Sequence, residues 1–464
     1  MLPDGAAVVL GRRIRVVSGG TALLGGFPTR LVRLTPRARP LLDGRRIVVD
    51  SSAAAVLADR LLALGLAEPD LATLEAPADV RLTYVVPIRD RPRQLDRLLT
   101  SIGSGADVVV VDDASLDPAP VAAVAAAHGA HVLALPVNVG PAGARNAGLV
   151  AVTTPFVVLV DSDIVLEPAT VPTLLRHFAD PEVALVAPRI AGLGERPTWL
   201  GRFEDTRSSL DLGPHPAAVR PRSPLAWVTT ACVVARVDAL ADGFDGDLRV
   251  GEDVDLGWRL VDAGWRVRYE PAAVAHHEHR ERPVDWFLRK AVYGTGAQGL
   301  AERHPGHIAP AVLAPWSAAF VVLLALQRRW SWVAALGVAV AAGIRIGRRL
   351  RPIDHPYAEG MRLAGAGAVS ATAQGMALLL RHWWPAAVVA ALVSRRMRRA
   401  IAVAALVDVT LEYRRDPAHL DPVRFAIARR LDDLAYGAGV WWGAIRARSI
   451  AALKPAIVRT ERRR

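Results

Sequence analysis

Several polar clusters in this 464-residue chain sit where runs of apolar residues end, and their side chains are of the kinds that handle protons, cations and phosphate. Asp112-Asp113 follows Val108–Val111, and Asp161-Ser162-Asp163 follows Phe156–Val160. A carboxylate at a strand end can accept hydrogen bonds from a base or from ribose hydroxyls. Pro87 and Arg89, at the end of the run that starts at Leu82, can hold the same base from its other side. Two carboxylates one residue apart suit a hard divalent cation, Mg2+ or Mn2+, bridging a diphosphate. Between the acidic pairs lies Asn138-Val139-Gly140-Pro141-Ala142-Gly143-Ala144-Arg145. Its glycines permit close backbone approach, and the helix start offers free N–H groups to a phosphate. Arg145 can reach diphosphate oxygens or brace the acidic residues. The run Gly251-Glu252-Asp253-Val254-Asp255 supplies a candidate general base, Asp253, with Glu252 beside it, for taking a proton from an attacking hydroxyl. His276, in the cluster His276-His277-Glu278-His279, is the candidate that completes a metal shell with Asp163.

Each cluster has a plainer reading. Asp-Asp after a strand is an ordinary turn, and acidic residues at a helix start favour the helix dipole. Gly148 can serve packing alone, and three histidines can form a surface cluster. Weight comes from position and order, so the elements that hold these residues matter.

Leu82–Pro87, Val108–Val111, His131–Leu135 and Phe156–Val160 read as apolar strands, separated by helices over Pro92–Ile102, Val121–His128 and Ala142–Val150. That alternation predicts an α/β domain with a parallel sheet covered on both faces, occupying residues 80–300, with ligands at the carboxyl ends of its strands. Residues 1–75 read as a small winged-helix-like module. It has short strands at Arg13–Val17, Thr21–Leu24 and Thr29–Leu34, a helix starting at Thr35-Pro36, and another from Ser51 or Ser52 to Leu64 closed by Gly65. Glu68–Asp79 reads as a linker.

Residues 305–464 hold the apolar excess of a chain that is 52% hydrophobic. Ile308–Leu326 is long enough to span a bilayer if helical, and Trp332–Ile344 is too short unless extended. Arginines at 345, 348, 349, 351, 395, 396, 398 and 399 border the apolar runs, with Trp316, Trp330, Trp332, Trp383 and Trp384 nearby. Such borders predict anchoring at a cell membrane, with the catalytic domain facing the cytoplasm; an Ala-rich bundle packed on the enzyme is the alternative. The net charge of +12 comes almost wholly from Arg and does not by itself point to nucleic acid. A single cysteine, Cys232, excludes an intramolecular disulfide and a multi-cysteine zinc site, and the N-terminus shows no secretory signal pattern.

In their order over residues 80–300 the motifs resemble the family 2, inverting, GT-A-type glycosyltransferases. The resemblance implies that Asp113 and Asp161 contact a nucleotide, that Asp163 binds the metal and that Asp253 is the catalytic base. Ala114 stands where glycine is usual. Over most of the chain the arrangement is similar to that of the mycofactocin biosynthesis glycosyltransferases, through Leu2-Pro3-Asp4-Gly5, Gly25-Gly26-Phe27-Pro28-Thr29-Arg30 and Leu34-Thr35-Pro36. The first module resembles PqqD-type peptide-binding domains. This second resemblance implies transfer of glucose units, as a β-1,4-linked oligosaccharide, from UDP-glucose to mycofactocin or its peptide precursor. Two rival expectations are a membrane glycosyltransferase with a lipid or cell-envelope acceptor and a non-catalytic binding scaffold.

Overall fold

The apolar runs become neighbouring strands of one sheet. The structure is a computed structural model that describes the chain except for residues 79, 195–197, 280–281 and 459–464. In chain order the strands are β1 (Leu82–Ile88), β2 (Asp107–Asp112), β3 (His131–Ala134), β4 (Phe156–Val160), β5 (Ile164–Leu166), β6 (Val183–Gly192), β7 (Cys232–Arg236) and β8 (Arg266–His277). They lie in the order β5-β8-β6-β7-β4-β1-β2-β3, with the two-residue strand Ala217–Ala218 also paired to β8.

The half predicted from the sequence, β4-β1-β2-β3, is parallel throughout. The other half is mixed: β7 runs antiparallel to β4 and β6, and β5 antiparallel to β8. The expectation of a parallel sheet therefore holds for the first half only. Successive side chains on a strand point to opposite faces. Tyr84, Val86, Val110, Val158 and Val160 accordingly enter one core with Leu95, Leu98 and Leu99 of the helix Pro92–Ile102. Val85, Val109, Val111, Val157 and Leu159 enter the other, with Ala142 and Ala144 of the helix Gly140–Val150 and with Leu256 and Leu260 of the helix Glu252–Asp262. Cys232 opens β7 opposite Val160 and is fully buried; that burial, with the charge of Asp161 adding to it, pushes its thiol up to about 12.

The N-terminal module differs in detail from the expectation. Ala7–Leu10, unforeseen as a strand, pairs with Arg46–Val48 on one side and Ala67–Pro69 on the other. No α-helix follows Thr35-Pro36, where only the 3-10 turn Arg39–Leu41 forms, because Pro40 and the flanking Arg37 and Arg39 leave no apolar stripe to bury. The helix Ser52–Leu64 appears as expected, with Ser51 accepting from Ala54 N and Gly65 in the left-handed conformation at its end. The supposed linker contributes the strand Ala67–Pro69 and the turn Leu71–Thr73; its last residue, Asp79, lies outside the described residues.

This module packs on the sheet domain through that domain's arginines. Arg266 donates to Asp59 (2.7 Å) and Asp180 (2.6 Å), and Arg268 donates to Glu68 (3.2 Å). Arg220 donates to the carbonyls of Leu62 and Ala63, beside Gly65, and Arg176 to that of Leu74.

A second compact unit starts past His279, so the helix Pro283–Arg303 belongs with the C-terminal helices and not with the sheet domain, which was expected to reach residue 300. It crosses the helix Pro422–Arg446 so closely that a methyl group at Gly294 or Gly439 would collide with the Tyr436 or Ala291 carbonyl. Lys290 and Arg381 share Asp432 across this bundle, at 3.2 and 2.7 Å. The run Ile308–Leu326 is not one helix, because Pro315 starts a helix of only 12 residues. Two later helices, Arg329–Arg349 and Pro356–His382, are instead long and apolar enough to cross a bilayer.

Candidate active site

The carboxyl ends of β1, β2 and β4 bring most of the expected residues together. β4 ends at Val160, so Asp161 leaves the sheet beside the helix Gly140–Val150, which carries Arg145. Arg145 is buried, and it donates from one nitrogen to Asp161 Oδ1 at 2.6 Å and from another to Glu252 Oε1 at 3.1 Å. Burial opposes the guanidinium charge, but Asp161 and Glu252 outweigh it and hold Arg145 above its usual pKa. One arginine thereby joins the strand-end motif to the Glu252-Asp253 motif, which lies 107 residues beyond Arg145 in the chain.

A second lock fixes the same helix to the loop before Glu252. Asn146 donates to the Phe244 carbonyl and accepts from Phe244 N, both at 2.7 Å. Gly148 faces β1 and β2, where an added Cβ would strike Val85 and Val111, so its packing role is real.

Glu252 is buried, while Asp253, half-buried in the first turn of its helix, accepts from Val254 N at 2.8 Å. Burial, with the Glu252 charge beside it, lifts the Asp253 carboxyl to about 7. A carboxylate poised near neutrality suits a general base. Burial also raises Asp161, joined by the charge of Asp163 and opposed by Arg145.

Asp112 and Asp113 are both buried and already engaged. Asp112 accepts from Ser115 N at 3.0 Å. Asp113 accepts from Val139 N and Gly140 N, at 2.7 and 2.9 Å, and so caps the glycine-rich helix start. Ala114 takes a left-handed φ of 54°, which explains why glycine suits this position; an alanine there costs about 1 kcal/mol. Pro87 lies in β1 opposite Val111. Arg89 is exposed, its Nε 3.6 Å from Asp90 Oδ2.

Asp163 meets Arg91, at 2.8 Å, and His277, at 3.7 Å. Burial pushes its carboxyl up, but His277 and Arg91 prevail and hold it well below the usual carboxylate range. The Nδ1 atom of His277 is buried and has no hydrogen-bond partner. His276, the expected ligand, is engaged elsewhere: its ring nitrogens meet Glu167 Oε1 at 2.9 Å and the Gly192 carbonyl at 3.1 Å. The structure thus brings His277, not His276, to Asp163. The cause is strand alternation, since Ala273 and Ala275 turn into the core and His277 shares their side. Alternation over those last residues of the strand was a usable signal in the sequence. Arg91 was missed too; its signal is its place just beyond β1 and before Pro92.

A family model described as glycosyl transferase family 2 matches residues 83–239. A pre-mycofactocin glycosyltransferase of Mycobacterium tuberculosis is 43% identical to this chain over 466 residues, covering 98% of each. An uncharacterized glycosyltransferase of Mycobacterium bovis is 34% identical over 189 residues, 40% of this chain and 81% of its own. Among solved structures, a mannosyltransferase of Pyrobaculum calidifontis in complex with GDP-Man and Mn2+ aligns at a TM-score of 0.38 and 20% identity, over 65% of this chain and 89% of that one.

Proposed function

Since the chain belongs to the family of the pre-mycofactocin glycosyltransferase, a family 2 glycosyltransferase of GT-A fold, we propose that it transfers glucose from UDP-glucose to mycofactocin or its peptide precursor, with inversion. Repeated transfer would build a β-1,4-linked oligosaccharide. The observation that carries this reading is the joining of Asp161 and Glu252 by buried Arg145, which fixes the base Asp253 next to the strand-end acids.

In this proposal Asp253 takes the proton of the acceptor hydroxyl as that oxygen attacks the anomeric carbon from the face opposite the departing diphosphate. Asp112, Asp161, Pro87 and Arg89 surround the nucleoside, and Asp113 contributes by holding the Val139–Gly140 backbone in place. Arg145 fixes the acids and adds positive potential near the diphosphate.

The residues fit a divalent cation, Mg2+ or Mn2+: an ionised Asp163 lies 3.7 Å from Nε2 of His277, whose Nδ1 is buried and unpartnered. Such an ion, when bound, neutralises charge on the leaving diphosphate. The N-terminal module is assigned a PqqD-like role, presenting the peptide-derived acceptor, and the C-terminal helices hold the enzyme at the cytoplasmic side of the cell membrane. Exposed apolar helices bordered by arginine also favour a second reading, in which the acceptor is a lipid or envelope glycan.

Purified enzyme given UDP-glucose, Mn2+ and the unglycosylated cofactor should yield hexose-bearing products by mass spectrometry. Cells lacking the gene should accumulate the bare aglycone. Label that partitions with lipid, with the cofactor pool unchanged, would move the assignment to the second reading.

A further inference from the structure

We infer that the C-terminal helical unit docks on a single anionic lipid leaflet, with the helices Arg329–Arg349 and Arg395–Arg415 lying along the interface and not crossing it. This rests on the membrane association proposed above and fixes its geometry and its lipid chemistry.

The helices Arg329–Arg349, Trp384–Val393 and Arg395–Arg415 leave large apolar side chains uncovered. Trp332 is 56% exposed, Val333 73%, Leu336 65%, Leu392 76%, Val393 89% and Leu406 68%. A soluble monomer rarely presents so much apolar surface without a partner.

Charge says what that partner is. Gln327 donates to the Arg396 carbonyl at 2.9 Å, which ties the turn before the first of these helices to the start of the last. That tie gathers Arg328, Arg329, Arg395, Arg396, Arg398 and Arg399 at one corner, beside exposed Trp330 and Trp332. A second copy of the chain in a two-fold contact through this corner would set like charges against each other. Anionic headgroups complement it, and tryptophan is suited to the headgroup level.

Orientation is decided by where the remaining arginines lie. The helix Arg329–Arg349 begins next to Arg328 and ends with Arg345, Arg348 and Arg349; the helix Arg395–Arg415 begins with four arginines and ends with Arg414 and Arg415. Each has 21 residues, about 31 Å of helix, which matches the hydrocarbon thickness. Set upright, each would carry a basic cluster across the bilayer; laid flat, both ends reach the same headgroup layer. In the helix Arg395–Arg415, Val403 and Leu406 face outward, whereas Asp408 turns inward to pair with Arg429. The helices Pro315–Leu326 and Trp384–Val393, of 12 and 10 residues, are too short to span.

The test uses the full-length chain with sealed vesicles, either phosphatidylcholine alone or phosphatidylcholine with phosphatidylglycerol. The protein should float with the phosphatidylglycerol vesicles, and at least tenfold less should do so in about 0.5 M salt, where screening is strong. Alkaline carbonate should release it. Trypsin added outside should cut within both Arg345–Arg351 and Arg395–Arg399. The variant Arg395→Glu/Arg396→Glu/Arg399→Glu should lose flotation while keeping its thermal unfolding transition and UDP binding. Carbonate-resistant protein with one arginine cluster shielded from trypsin would overturn the in-plane geometry while leaving membrane association intact. Failure to float with either vesicle would overturn both.

Discussion

Asp253 is held near neutrality by burial and by Glu252, and this has consequences for rate and for stability. A base must be unprotonated to act, so kcat/KM should rise as pH increases through about 7. Asp253→Asn should lower turnover by roughly 10²–10⁴-fold while leaving UDP affinity unchanged, as initial rates and calorimetry would show. The folded-state pKa lies above the ordinary value of 3.8, so the folded protein binds the proton more tightly than the unfolded chain. The group therefore costs stability progressively as pH rises from about 4 to about 7. Asparagine mimics the protonated form, so the same variant should gain about 1–3 kcal/mol at pH 8 and almost nothing at pH 4, measured by denaturant unfolding. At the far side of the site, His277→Ala should weaken binding of UDP with Mn2+ at least tenfold, and His276→Ala should leave it within twofold by calorimetry, because only His277 faces Asp163.

The elements explain which of these residues could be read from sequence. β1, β2 and β4 are mostly apolar and buried on both faces, so their ends, and with them Asp112, Asp113, Asp161 and Asp163, were legible. β6 and β7 were not identified, and Pro188 and Gly192 interrupt the apolar pattern of β6. Their absence from the expected order hid the antiparallel half of the sheet. The join made by Arg145 was open in the sequence as one of two possibilities, since no local pattern chooses between a phosphate and a carboxylate partner. Histidine parity was lost for a similar reason. β8 is irregular between Glu270 and Val274, so alternation counted from Tyr269 fails before His277. The close approach of the glycine-rich helix to β1 gives an element-scale test: Gly148→Ala, forcing a methyl group against Val85, should destabilise by about 1–3 kcal/mol in chemical denaturation.

At the scale of the whole molecule, the N-terminal module is fastened to the sheet by charge. Arg268 is buried between Glu68 and Asp180, and Arg266 links Asp59 to Asp180. Arg268→Ala takes from the half-buried Glu68 its ion partner, so it should cost about 1–3 kcal/mol and speed hydrogen exchange in Ser52–Leu64, read by mass spectrometry. Because β8 carries these arginines at one end and His277 at the other, a lesion in the module can reach the residues proposed to hold the cation along one strand. The lone cysteine offers a way to watch such changes. Cys232 is shut in β7 with its thiol pushed up to about 12, so alkylating reagents can reach it only when the sheet opens. The protein thus comes with an internal clock for global opening and a silent background for spectroscopy: a cysteine introduced at any exposed site would take a spin label or fluorophore alone, with no native thiol to delete first.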